Sequence, residues 1–228
     1  LTIRNEDGIL KLKDVSFTAN SGEILGIAGI SGCGQKELLE AIAGLQVTES
    51  GRISYVEEDG TKEELIGMDP RKIAEKGVSL SFVPEDRLGM GLVGNMDLTD
   101  NMMLRSFRRG HSPFTNRKSP RKLAEDVVES LEVVTPGITT PVRRLSGGNV
   151  QKVLVGREIA SAPTVLLTAY AVRGLDINSS YTIYDLLNQQ KKKGVAVIFV
   201  GEDLDVLLEL SDRILVLCGG QVSGIVDA

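Results

Sequence analysis

Apolar and polar residues alternate through the first part of the chain, whereas later apolar residues gather into unbroken runs. Residues 1–29 alternate within LTIRN, ILKLKDVSFTA and EILGIAG, with turn signals at residues 7–8 and 20–22. Such alternation predicts antiparallel strands with one covered face. The unbroken runs lie at 78–83, 164–170 and 195–201. They predict strands that are buried on both faces of a parallel sheet.

Helical patterns lie between the apolar runs. They are 69–77, which opens with Asp-Pro, 119–134, with apolar residues on one face, and 178–195, which ends in lysines and a glycine. These are the start, face and stop signals of helices. The tail predicts a hairpin that turns at Gly219-Gly220. Together the pattern predicts an α/β fold with a mostly parallel core sheet, an N-terminal antiparallel β subdomain and a helical subdomain over residues 88–162.

Composition and charge narrow the class of protein. The 228 residues are 42% hydrophobic and 25% charged, which is ordinary for a globular domain. The net charge of −5 lacks the basic excess of a general nucleic-acid binder. No apolar run approaches the ~18 residues that span a bilayer, so a membrane link must come through a partner. Two widely spaced cysteines form no disulfide or zinc pattern and favour a reducing cytoplasm.

Residues 23–44, EILGIAGISGCGQKELLEAIAG, have the order of a phosphate-binding loop: apolar strand, glycine turn, amphipathic helix. The glycines have the spacing of G-x-x-G-x-G-K-[ST], in which backbone N–H groups point at phosphate. However, Gln35 takes the lysine position and Lys36 the Ser/Thr position. Loss of the charge-assisted bond costs roughly 1.5–3 kcal/mol, or about 10- to 100-fold in affinity. The predicted, weakened nucleotide loop comprises Gly29, Ser31, Gly32, Cys33, Gly34, Gln35 and Lys36.

Further motifs carry a family resemblance. In RRLSGGNVQKVLVGREIASAP (143–163), Ser146 and two glycines cap a long helix with an anion-facing tip. This stretch resembles the signature motif of ABC-type ATPases. TVLLTAYAVRGLDI, SFVPEDRLGMGL and VIFVGEDLDVLLELSDRILVL resemble their second phosphate-site strand with its loop, their glutamine-loop region and their switch-histidine region. Over residues 1–228 the chain resembles the second nucleotide-binding domain of tandem ATPase subunits in bacterial importers for monosaccharides and nucleosides.

The resemblance implies a P-loop NTPase-like domain that dimerises head to tail, with each ATP between one glycine loop and the other domain's signature motif. It also implies that the site in cis is degenerate. Ala169 stands at the Mg²⁺-binding aspartate, Tyr170 at the catalytic glutamate and Glu202 at the switch histidine. Glu85 replaces the loop glutamine, and residues 1–16 contain no aromatic residue to stack on adenine. We therefore expect no catalysis in cis, weak ATP binding, and Mg²⁺ at the partner's site only.

The residues that serve the partner's ATP are retained. They are the signature residues Ser146, Gly147, Gly148 and Asn149, and the loop residue Asp176. The chain is thus interpreted as an energy-coupling domain, cut from a longer tandem protein because it starts at Leu1. We expect it to lie in the cytoplasm on the inner face of the cell membrane, docked on transmembrane permease subunits through the helical subdomain. Met96, Met102 and Met103 there are typical either of a core or of an adaptable docking surface.

Other interpretations stay open. One is a non-hydrolysing regulatory domain that binds nucleotide without Mg²⁺ chemistry. Another is a soluble ABC-type factor, which the lack of basic segments and coiled-coil insertions disfavours. Ala169 and Tyr170 favour a nucleoside-type over a sugar-type importer. His111 lies in a polar stretch and is interpreted as a surface residue.

Overall fold

The computed structural model describes residues 1–5, 7–107 and 116–228. These form two compact units. The first comprises Leu1–Phe82, Pro163–Tyr170 and Leu187–Ala228, and the second comprises Val83–Ala162 and Ala171–Leu186. The predicted surface residue His111 lies outside the described residues.

Strands and helices are interspersed along the chain. They are β1 (Ile3–Arg4), β2 (Leu10–Leu12), β3 (Ile24–Ala28), α1 (Gln35–Ile42), β4 (Ser54–Val56), β5 (Lys62–Glu64), α2 (Pro70–Glu75), β6 (Leu80–Val83), α3 (Leu98–Met103), α4 (Lys118–Ser130), α5 (Gly147–Ile159), β7 (Val165–Ala169), α6 (Ile177–Lys192), β8 (Ala196–Val200), α7 (Leu204–Leu210), β9 (Arg213–Cys218) and β10 (Gln221–Asp227).

A six-stranded sheet with the order β10-β9-β3-β8-β7-β6 forms the core of the first unit. β8 is parallel to β3 and β7, and every residue of β8 is buried, as its unbroken apolar run predicts. β9 and β10 form the predicted antiparallel hairpin around Gly219-Gly220.

The prediction of an antiparallel strand over residues 23–29 was wrong. β3 lies in the centre of the sheet and is parallel to both β8 and β9. The apparent alternation came from Gly26, which is a close-packing position rather than an exposed one. A Cβ at Gly26 would lie 2.4 Å from the Ser211 Oγ.

The N-terminal antiparallel strands are shorter than predicted. β1 pairs with β2, and β4 forms a separate hairpin with β5. The long strand predicted over ILKLKDVSFTA ends at Leu12, because Asp14 adopts a left-handed conformation with φ 52°. Residues 15–20 therefore lie outside the β1–β2 ladder.

The predicted helices are present. Asp69 caps α2 by accepting from the Arg71 and Lys72 N–H groups, with Pro70 at the first position. α4 ends at Ser130, earlier than predicted, and Glu132 beyond it is left-handed with φ 49°. α5 is buried on nearly all sides in the second unit. In the described part of the chain, no helix combines the length and apolarity needed to cross a membrane.

Candidate functional site

The glycine loop joins β3 to α1 in the first unit, as the sequence predicts. Its backbone is shaped by close contact with β2. Gly34 has φ 101°, and a Cβ there would lie 2.3 Å from the Leu12 Cδ2 and 2.8 Å from the Lys11 carbonyl oxygen. Since only glycine fits, the turn of a phosphate loop is retained. Cys33 is half-buried in this loop and is a free thiol.

Gln35 lies across the inside of the loop. Its side chain is buried, with 2% exposed, and its Nε2 donates to the Ile30 carbonyl oxygen at 3.1 Å. A Cβ on Gly29 would be only 2.6 Å from the same Nε2. The uncharged amide therefore fills the position from which a lysine would reach the phosphate, and it is bonded to the loop itself.

Lys36 does not replace the absent lysine. Its Nζ lies 3.8 Å from Glu40 Oε1 one turn along α1, and 63% of its side chain is exposed. Burial raises the pKa of Glu40, and the charge of Lys36 opposes that rise. Glu37 in the first turn of α1 pairs with Lys11 at 3.7 Å. The first turn thus carries a carboxylate near the loop, which disfavours phosphate.

The positions expected to act on ATP share one edge of the sheet. β3, β8 and β7 are parallel neighbours, so the glycine loop, Glu202 and Tyr170 all follow carboxyl ends of strands. Ala169 ends β7 and is buried. Tyr170 has φ 51°, donates its N–H to the Val200 carbonyl oxygen at 2.9 Å and packs into the core cluster. Glu202 is exposed.

These residues do not fit a bound Mg²⁺–ATP. The lysine position holds a neutral amide, the Ser/Thr position a lysine paired with Glu40, and the aspartate position the methyl group of Ala169. Oxygen ligands are what Mg²⁺ requires. Among the residues that the structure describes, no group of three His, Cys, Asp or Glu side chains is placed to hold a metal.

The signature turn lies in the second unit, at the start of α5. The Ser146 Oγ accepts from the Asn149 backbone N–H at 3.4 Å and from the Asn149 Nδ2 at 2.9 Å. The Asn149 Oδ1 in turn accepts from the Val134 N–H at 2.9 Å. Ser146 and Gly147 are exposed. The turn is therefore fixed through Asn149, while the residues at its tip, Ser146 and Gly147, remain exposed at the N-terminus of α5.

Asp176 packs beside the signature turn. Its carboxylate accepts from the Ser179 N–H at 3.0 Å and the Ser179 Oγ at 2.7 Å, and these bonds lower the pKa of Asp176. A Cβ on Gly148 would lie 2.8 Å from the Ser179 Oγ. The second signature glycine is thus required for the loop at Asp176 to approach the turn.

Arg87 and Arg173 connect the motifs, and sequence reasoning gave neither a role. Arg87 donates to the Arg173 carbonyl oxygen and, at 3.5 Å, to the Gly147 carbonyl oxygen. Arg173 forms an ion pair with Glu85. Burial lowers the pKa of Arg87. The available signal was that both arginines lie inside the VPEDR and RGLD motifs, but the contacts join residues far apart in sequence.

The methionines of the second unit divide between core and surface. Met102 is 1% exposed, Met96 is 38% exposed and Met103 is half-buried. A cavity of about 560 Å³ lies beside Leu104 and Arg143 and is lined by residues 88–95. Four of its lining residues carry exposed apolar side chains: Leu88, Met90, Val93 and Leu104.

Comparisons with known proteins identify the family. The sequence model of the ABC transporter family matches residues 12–168, more than half of the chain. The xylose import ATP-binding protein of Moorella thermoacetica is 38% identical over 93% of this chain and 41% of its own length. The guanosine import ATP-binding protein of Bacillus subtilis is 35% identical over 97% of this chain and 43% of its own length. The chain thus spans less than half the length of these relatives.

Solved structures agree on the fold. An ATP-binding cassette dimer in a post-hydrolysis state with ADP and phosphate has a TM-score of 0.80 at 22% identity, covering 99% of this chain and 94% of that one. A nucleotide-free cassette has a TM-score of 0.78 at 19% identity, covering 100% and 89%. The predicted α/β cassette fold is confirmed. This chain belongs to the ABC transporter family of ATP-binding domains.

Proposed function

We propose that this chain is the second, C-terminal nucleotide-binding domain of a tandem import ATPase, and that it completes a composite ATP site on a partner domain. The similar relatives are import ATP-binding proteins more than twice as long as the matched region. Their names favour an importer over a soluble ABC-type factor. Ala169 and Tyr170 favour a nucleoside-type system over a sugar-type one.

The observation that carries the proposal is an asymmetry between two motifs. The Gln35 amide is buried and bonded inside its own glycine loop, whereas the Ser146 turn places two exposed residues, Ser146 and Gly147, at the N-terminus of α5. The first arrangement competes with a phosphate, and the second is a helix N-terminus suited to one. The Ser146 turn of this chain thus contacts a nucleotide that is bound by the glycine loop of the partner domain.

In this composite site the partner's glycine loop binds ATP and Mg²⁺, and Ser146, Gly147, Gly148 and Asn149 approach the phosphates from the opposite side. The Asp176 loop packs on Gly148 and supports the turn. The partner domain is another ABC cassette in a head-to-tail arrangement, supplied by the same polypeptide. Phosphoryl transfer depends on positioning and charge neutralisation, so a well-fixed turn without a catalytic group is a sufficient contribution.

Docking on a membrane permease is assigned to the second unit. The exposed apolar residues that line the 560 Å³ cavity suit contact with another protein, and the flexible side chain of Met90 among them suits an adaptable contact. Attachment to transmembrane subunits there would hold the domain peripherally on the cytoplasmic face of the membrane.

The proposal is tested in the complete tandem protein. Ser146→Arg places a long cationic side chain on the turn, and we expect the ATPase activity to be abolished. Gln35→Ala removes only the amide from the degenerate loop, and we expect activity close to that of the unaltered protein. Ser223→Arg makes the same substitution at an exposed serine of β10 and is the matched control. Equal losses from Ser146→Arg and Gln35→Ala would overturn the asymmetry.

A further inference from the structure

Arg87 contacts the signature turn from the segment that follows β6. Its Nη1 donates a long hydrogen bond to the Gly147 carbonyl oxygen at 3.5 Å, and its Nη2 donates to the Arg173 carbonyl oxygen. The two acceptors lie 60 and 86 residues further along the chain, in α5 and in the loop before α6. One guanidinium group, whose donors form a planar fork, thus joins two segments that are distant in sequence.

Each glycine of the signature turn admits a different neighbour. A Cβ on Gly147 would lie 3.3 Å from the Arg87 Nη1, which is closer than an ordinary van der Waals contact. A Cβ on Gly148 would lie 2.8 Å from the Ser179 Oγ, whose hydroxyl donates to Asp176. Neither glycine has a positive φ, so the need for glycine comes from the neighbours and not from the backbone conformation. The turn therefore contacts Arg87 at its first glycine and the Asp176 loop at its second.

Arg173 connects these two neighbours to each other. Its guanidinium forms an ion pair with Glu85, two residues before Arg87, and its carbonyl oxygen accepts from Arg87. Three residues further along, the Asp176 carboxylate accepts from the Ser179 N–H and Oγ. The loop is therefore bonded twice at its start to the segment that carries Arg87, and its end packs on the signature turn.

The positive charge of Arg87 is not balanced within the part of the chain that the structure describes. Burial lowers the pKa of Arg87, and no carboxylate among the described residues opposes that shift. The positive end of the α5 dipole lies at Gly147 and repels a cation rather than stabilising it. An anion that approaches the turn would balance this charge. In the composite site the triphosphate of the partner's ATP is that anion.

The two hydrogen bonds of Arg87 add little to folding stability. Gly147 and Arg173 are exposed, so water can bond to their carbonyl oxygens when the guanidinium is removed. Burial of the guanidinium and repulsion by the helix dipole oppose folding at the same time. Residues that contribute little to stability, or reduce it, are typical of functional sites.

We propose that Arg87 is a positioning residue of the composite ATP site, which aligns the signature turn with the Asp176 loop and adds positive charge beside the turn. It acts through the backbones of Gly147 and Arg173 and does not touch the nucleotide. The inference rests on the proposed function, because only a nucleotide bound by the partner domain makes this alignment useful. Fixed positive charge that meets the developing charge of phosphoryl transfer acts on kcat more than on nucleotide binding.

Variants of the complete tandem protein test the proposal. Arg87→Met removes the guanidinium but keeps a long side chain, and Arg87→Lys keeps the charge without the planar fork. We expect Arg87→Met to lower kcat about 10- to 100-fold while KM for ATP changes less than about twofold, because the partner's glycine loop supplies most of the binding. We expect Arg87→Lys to recover part of this loss. Arg121→Met, at an exposed arginine of α4, is the matched control and should keep full activity.

The 228-residue chain supplies a second measurement that does not depend on nucleotide. Its Tm should be unchanged or higher in Arg87→Met, because the variant removes a desolvated cation from a helix N-terminus. A lower Tm, together with no recovery of activity by Arg87→Lys, would make Arg87 a structural residue and overturn the proposal. Activity of Arg87→Met equal to that of Arg121→Met would also overturn it. A rise in KM at constant kcat would indicate direct contact with the nucleotide and overturn the positioning role.

Failure of this inference is distinguishable from failure of the composite ATP site. Full activity of Ser146→Arg would contradict the composite site and, with it, this role of Arg87. Loss of activity in Ser146→Arg with full activity in Arg87→Met would support the composite site and overturn only the role of Arg87.

Discussion

At the scale of single residues, Gln35 sets the state of the glycine loop. A neutral amide that bonds the Ile30 carbonyl oxygen stabilises the loop without a ligand, so a phosphate must displace that bond and gains no opposite charge in return. Lys36 is held by Glu40, which is partly buried, along α1. Both effects act in the same direction and oppose nucleotide binding in cis.

A calorimetric titration of this chain with ATP tests the state of the loop. We expect no saturable binding below about 1 mM, with or without Mg²⁺, because the charge-assisted bond and the metal ligands are absent. The double variant Gln35→Lys and Lys36→Thr restores a cation and a hydroxyl at the two positions. We expect it to bind ATP at least ~10-fold more tightly.

Ser146→Arg in the same titration is the matched control, because the signature turn does not belong to the glycine loop and should leave binding in cis unchanged. Micromolar binding of ATP by the unaltered chain would contradict the prediction. That result would favour the non-hydrolysing regulatory domain, in which the retained glycine turn alone holds phosphate.

At the scale of elements, α5 combines the signature turn with a buried body. The Arg157 and Glu158 side chains are buried, and they are satisfied by each other, by Arg105 and by the Gly91 carbonyl oxygen. Gln151 differs: it is 1% exposed, and neither its Nε2 nor its Oε1 has a partner among the described residues. One helix thus holds both a satisfied ionic network and an unsatisfied amide.

Gln151→Met should stabilise the protein, because it replaces an unpartnered amide by an apolar side chain of similar length. We expect the free energy of unfolding to rise by about 1–2 kcal/mol in urea titrations. Arg157→Met on the same helix is the contrasting variant. It leaves a buried carboxylate less well paired and should lower the free energy of unfolding by about 3 kcal/mol. Destabilisation by Gln151→Met would show that the amide is hydrogen-bonded in solution.

Elements with strong local signals could be predicted from sequence, and those that depend on distant contacts could not. Asp69-Pro70 fixes the start of α2 locally, and the apolar run of β8 admits only a buried strand. The central position of β3 could not be predicted, because the close approach of Ser211 to Gly26 joins residues far apart in the chain.

In the candidate site, the positions of the loops could likewise be predicted from sequence, whereas the contacts of their side chains could not. Motif spacing placed the glycine loop, the Ser146 turn and the Asp176 loop on the correct elements. It could not show that the Gln35 amide turns inward onto the loop, or that Arg87 spans from Arg173 to the signature turn. These are choices of side-chain direction, and they depend on neighbours that the sequence brings together only after folding.

At the scale of the whole molecule, carboxylates that bond across the sheet of the first unit couple stability to pH. Burial raises the pKa of Asp212, but hydrogen bonds from Lys191 and from the Ile24 N–H together lower it below its usual 3.8. Glu23 behaves alike beside Arg213, with its pKa below 4.5. Glu23 directly precedes β3, and Asp212 directly precedes β9. Their hydrogen bonds to Arg213 and to the Ile24 N–H therefore link the N-terminal part of the chain to its C-terminal part.

Asp212 makes the stability of the protein depend on pH. Because the folded state lowers the pKa of Asp212, its contribution to stability is fully present above pH 3.8 and is lost as the pH falls through the lower, folded value. Asp212→Asn should therefore reduce the free energy of unfolding at pH 7, and its curve should converge with that of the unaltered chain in strong acid. Urea titrations across this range measure the difference.

Asp185→Asn makes the same charge change at an exposed position of α6 and should leave the difference in free energy of unfolding between neutral and acid pH unchanged. If Asp212→Asn kept the full acid sensitivity, the bonds to Lys191 and Ile24 would not contribute to the stability of the sheet.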